Sequence, residues 1–149
     1  MIANIIGFII GIIIAIPGTI FLTRKYLRPR HEMLYFAISL IPIALFYIGF
    51  AYYYGELAAL DAEIIGVIVF SVLALLAIQL HSSILIYAYL VHAGWDVLHE
   101  IYVSSVAGVI PWSQVPMGYA AFCLAYDVII ALYVWKRCSI WQSDKASVE

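Results

Sequence analysis

The sequence predicts an all-α fold, a polytopic bundle of five membrane-spanning helices with its N-terminus outside and its C-terminus inside. Three observations lead there. Of 149 residues, 66% are hydrophobic and 11% charged, with a mean hydropathy of +1.06, whereas soluble domains run at about 45–50% apolar and about 25% charged. The apolar residues fall into runs near the roughly 20 residues that cross a bilayer. All seven Lys and Arg lie in two short segments, 24–30 and 136–145. The formal net charge of −2 says little, because placement of charge governs topology. A chain filled by spans leaves no room for a soluble catalytic or nucleic-acid-binding domain. It reads as one transmembrane domain, 1–138, with a polar cytoplasmic tail, 139–149, in a multi-pass protein of the cell membrane.

The first span covers about residues 3–22 and ends at Arg24, Lys25, Arg28 and Arg30. It lacks a basic leader and a small-x-small cleavage pattern, so it is expected to be retained. The second covers about 33–54 and closes on an interfacial belt, Tyr52, Tyr53 and Tyr54. An acidic loop with Glu56, Asp61 and Glu63 follows. From Ile64 to Ala107 no Lys or Arg occurs, and one straight helix there would be about 66 Å long, twice the hydrocarbon thickness. The chain must reverse, and the polar stretch 79–83 around His81 is the place, giving spans at about 64–80 and 84–107. A loop bounded by Pro111 and Pro116 leads to the last span, about 117–135, which stops at Lys136 and Arg137. Five spans put an even number of crossings between the two basic segments, so both face the cytoplasm. Cys123 and Cys138 are read as free thiols, and Trp95, Trp112 and Trp135 as interface anchors and packing.

Three acids and three histidines fall within apolar sequence: Asp96, Glu100, Asp127, His81, His92 and His99. Ionisable groups at membrane depth cost several kcal/mol unless paired, and no Lys or Arg is near in sequence to pair them. In the segment 92–100 (HAGWDVLHE), His92, Asp96 and His99 share a helical stripe within about 60°. Glu100 lies beside it, and Gly94 leaves room for a neighbouring helix. The midpoints of the fourth and fifth spans bring Asp96 and Asp127 to one depth. The expected metal ligands are His92, Asp96, His99 and Asp127, with His81 joining if its turn dips inward and Cys123 a further candidate. Imidazole with carboxylate suits a divalent Zn, Fe or Mn ion. His31, beside Arg30 and Glu32 in the basic loop, is expected to be solvated.

The H-x-x-W-D-x-x-H pattern from His92, followed by Tyr126-Asp127, resembles a family of small bacterial integral-membrane proteins without an assigned activity. The resemblance covers about a quarter of the chain and implies no function. HExxH, Gly-rich phosphate loops and G-x-S-x-G are absent from the sequence.

These residues point to a metal-dependent reaction on a lipid or isoprenoid substrate, with Asp96 or Asp127 as general base. A proton or cation carrier using the same groups, with a homo-oligomer to complete its aqueous path, is the alternative. An accessory subunit in which the cluster only fixes packing is another. Haem is disfavoured, because His92 and His99 lie on one face of one helix and cannot sandwich a single iron. Membrane lipids and a lipid-soluble small molecule are the expected partners, and nucleic acid is not.

Overall fold

The structure, a computed structural model, describes residues 1–104 and 113–146. Among the described residues there is no strand, and five long helices account for nearly everything. They are α1 (Ile2–Tyr26), α2 (Pro29–Tyr54), α3 (Leu60–Gln79), α4 (Ile84–Ser104) and α5 (Tyr119–Ala146). Four stretches, Ile2–Tyr26, Pro29–Tyr54, Leu57–Gln79 and Tyr119–Asp144, are long and apolar enough to cross a membrane. The remaining helix, α4, is not among these four and carries His92, Asp96, His99 and Glu100.

Local chemistry sets the boundaries. Pro17 has no N–H to donate, and α1 winds as a π-helix over Ile14–Ile20 around it. Pro29 stands at the start of α2, where a missing donor costs nothing. Gly55, with φ 74°, ends α2 in the left-handed conformation that glycine tolerates. The reversal between α3 and α4 occupies residues 80–83, where the polar stretch lies. The expected loop at Pro111 and Trp112, and the end of the fourth span at 107, fall outside the described residues.

Successive helices run antiparallel. Asn4 of α1 reaches Glu100 near the end of α4, Glu56 after α2 meets Gln114 before α5, and Ser82 before α4 meets Gln142 late in α5. Both basic segments therefore lie at one end of the bundle and the 56–63 connection lies at the other. Helices α2 to α5 form the core. By contrast, among the described residues α1 packs mainly on α5, meets α2 at the hairpin joining them and reaches α4 through Asn4.

Small residues let α1 sit close. Gly7, Gly11, Ala15, Thr19 and Thr23 recur every four residues and all are buried. A Cβ on Gly11 would collide with the Phe122 carbonyl, and one on Gly7 with that of Gly118, so this stripe is a close backbone approach. Gly94, expected to serve that purpose, is exposed, and a Cβ there would meet nothing within 4 Å. Instead Gly66 receives the Trp95 ring.

Two expectations about charged segments are corrected. Glu32, assigned to the basic loop, is fully buried in the first turn of α2. Its Oε2 accepts from Arg137 Nη2 at 2.7 Å and Trp141 Nε1 at 2.7 Å, and its Oε1 accepts from Tyr133. The segment from 139, assigned to a polar tail, continues α5 as helix to Ala146. Burial of Trp141, stacked at 6.0 Å on Phe36, holds that extension in place.

Candidate functional site

Halfway along α4, His92 and Asp96 point from one stripe towards Asp127 on α5. All three are fully buried. His92 Nδ1 lies 2.8 Å from Asp127 Oδ2 and 3.3 Å from Asp96 Oδ2, so a single ring nitrogen stands between two carboxylates. Tyr47 of α2 donates its hydroxyl to Asp96 Oδ1 and fixes that carboxylate. The His92 ring is flanked by Phe70 of α3, with centroids 4.7 Å apart. Four helices thus contribute to one buried polar centre.

Hydrogen-bond accounting leaves four buried side-chain atoms over among the described residues, Glu63 Oε2 and, at this centre, His92 Nε2, Asp96 Oδ2 and Asp127 Oδ1. Such groups carry a desolvation cost of about 1–3 kcal/mol each unless something binds them. One ligand atom from each of His92, Asp96 and Asp127 can be chosen so that all lie within 4.8 Å of one another. An imidazole nitrogen with two carboxylate oxygens suits Zn, Fe or Mn, and three protein ligands leave coordination positions for other molecules.

Not every expected ligand joins. His99 Nδ1 faces the Trp95 carbonyl at 2.9 Å and its Nε2 faces Glu63 Oε1 at 2.9 Å, so both ring nitrogens are committed elsewhere. His81 is exposed at the α3–α4 turn, with Nδ1 2.7 Å from Ser83 Oγ, and the turn does not dip inward. Glu100 is exposed and accepts from Asn4 at 3.4 Å. Cys123 is buried one turn before Asp127 on α5. His31 is exposed.

Glu63 is the residue that sequence reasoning missed. Expected in an acidic outer loop, it sits 1% exposed in the first turn of α3. Its Oε1 accepts from Ser113 N at 3.1 Å and Ser113 Oγ at 2.7 Å besides facing His99. The His99 ring packs on the Tyr47 ring, with centroids 4.2 Å apart, so this second polar pair adjoins the first through Tyr47.

A cavity of about 380 Å³ reaches Asp127 from the side of the bundle. Ile14 and Thr19 of α1, Tyr35, Ser39, Ile43 and Phe46 of α2, and Tyr119, Phe122, Cys123 and Tyr126 of α5 complete its wall. It exists because α1 leans on α5 and leaves a gap beside α2. Comparison with known proteins gives no matching family model, no similar curated sequence and no similar solved structure.

Proposed function

We propose that the protein is a five-span membrane protein, N-terminus outside, that holds one divalent Zn, Fe or Mn ion on His92, Asp96 and Asp127 and uses it on a lipid-soluble substrate. The carrying observation is that one ligand atom from each of these three fully buried residues lies within 4.8 Å of the others. Two carboxylates at membrane depth must be protonated, paired with a histidinium or neutralised by a bound cation, and no Lys or Arg stands along the cavity wall. A divalent ion would be that cation, and when bound it would polarise a substrate oxygen and acidify a water molecule. Tyr47 holds Asp96 in a fixed orientation. Asp127, which both belongs to the centre and lines the cavity, is the general base that takes a proton from the substrate side. The even number of crossings between the two basic segments supports an inside location for both.

Elemental analysis of the protein purified without added chelator tests this reading. About one ion per chain is expected, lost on His92→Ala or Asp127→Ala; metal that is absent, or that ignores both substitutions, overturns it.

A second reading has its own observation. Glu63, His99, Tyr47, Asp96, His92 and Asp127 form a series of neighbouring protonatable side chains from one end of the bundle to its middle, joined by polar contacts except between His99 and Tyr47, whose rings touch. Such a series suits a proton carrier. Proton flux into liposomes that disappears in the Asp96→Asn, Asp127→Asn double variant would support it, and flux that survives would exclude it. With His81 at an exposed turn and His99 bound to Glu63, pairing two histidines on a haem has no support.

A further inference from the structure

We infer that the cavity between α1, α2 and α5 binds a single-chain lipid with an uncharged hydroxyl head, which passes sideways from the bilayer between α1 and α2 and sets its head against Asp127. Location comes first. Ile14, Tyr35 and Phe46 line the cavity and are 43%, 42% and 56% exposed, so its mouth opens on the flank of the bundle, where lipid chains would lie. The flank is open because α1 and α2 do not pack together beyond their hairpin.

Size and chemistry then select the occupant. A volume of about 380 Å³ is near the lower end of the roughly 300–1,000 Å³ of small-molecule pockets, which suits one chain and not a two-chain phospholipid. Most of the wall is aliphatic or aromatic, matching a hydrocarbon tail. At the inner end stands Asp127, whose buried Oδ1 is an acceptor with no hydrogen-bond partner. Tyr126 offers a hydroxyl whose contact with Thr19 Oγ1, at 3.5 Å, is at the limit of hydrogen bonding and readily exchanged. An alcohol donates to the first and accepts from the second. Phosphate or carboxylate heads would face Asp127 with no Lys or Arg in the wall to balance them. The preference for an uncharged head over a cationic one rests on the metal reading, in which the ion already neutralises both carboxylates.

The test uses the full-length protein in lipid nanodiscs and a long-chain primary alcohol carrying a photoactivatable diazirine, with cross-links mapped by peptide mass spectrometry. Cross-links are expected within 35–46 and 119–127, and excess dodecanol should suppress them about tenfold while dodecanoate and dodecyltrimethylammonium do not. Ile43→Trp, which fills the cavity, should remove them. Tyr126→Phe keeps the shape and should weaken dodecanol competition about three- to tenfold, the worth of one hydrogen bond. Labelling spread evenly over the lipid-facing surface, or competition by dodecanoate equal to that by dodecanol, overturns the inference. Competition by the ammonium alone also overturns it. Metal content is measured on the same samples, so a protein that cross-links as expected but carries no ion would retire the metal reading and keep the lipid site.

Discussion

His99 Nε2 lies 2.9 Å from Glu63 Oε1, and this pair turns His99 away from the carboxylates that its helical stripe shares. Both side chains are fully buried, so each compensates the other for leaving water, together with Ser113 donating to Glu63 and the Trp95 carbonyl beside His99. Glu63→Ala should lower stability by about 3–5 kcal/mol, the usual cost of stranding one member of a buried pair. Thermal unfolding in detergent gives the first number, and elemental analysis should show unchanged metal stoichiometry in the folded fraction. Loss of metal from folded Glu63→Ala would place His99 among the ligands.

Tyr47 touches both polar pairs, donating to Asp96 and stacking on His99. Tyr47→Phe keeps the ring and removes the hydroxyl. On the proposed metal reading, affinity for the ion should fall about 10–100-fold without being abolished, as expected for a group that orients a ligand. Competition titration against a chelator of known affinity measures it, and an unchanged affinity would show that Asp96 needs no orientation from α2.

At the basic end, Arg137 and Trp141 both donate to Glu32. Arg137→Ala should destabilise the protein by about 3–5 kcal/mol, and Trp141→Ala by a similar amount through the lost packing on Phe36. Lys136→Ala, next in sequence but exposed, should fall within about 0.5 kcal/mol of the parent. Comparable losses for Lys136 and Arg137 in thermal unfolding would contradict this division.

What the sequence shows and conceals follows from the range of the interactions involved. The reversal at 80–83 was legible because polar residues interrupt an apolar run, and the meeting of Asp96 with Asp127 because antiparallel helices of similar length match their midpoints. The buried states of Glu32 and Glu63 were not legible. Each stands beside solvent-facing charges at a helix start, and its burial depends on partners 109 and 50 residues away, Trp141 and Ser113. His99 misled for the same reason, since periodicity reports the face a residue shares and not which neighbour on that face claims it. The Gly7, Gly11, Ala15, Thr19, Thr23 stripe, at a strict spacing of four, was visible in the sequence and marks α1 as the closely packed helix better than Gly94 does.

Attachment of α1 mainly through α5 divides the molecule into a frame and a door. The side chains of the polar centre all come from α2, α3, α4 and α5, so changes along the outer face of α1 can alter which molecules reach Asp127 without disturbing the residues that receive them. The wall of the cavity and the composition of the polar centre are thereby separately adjustable, because α1 contributes to the first and not to the second.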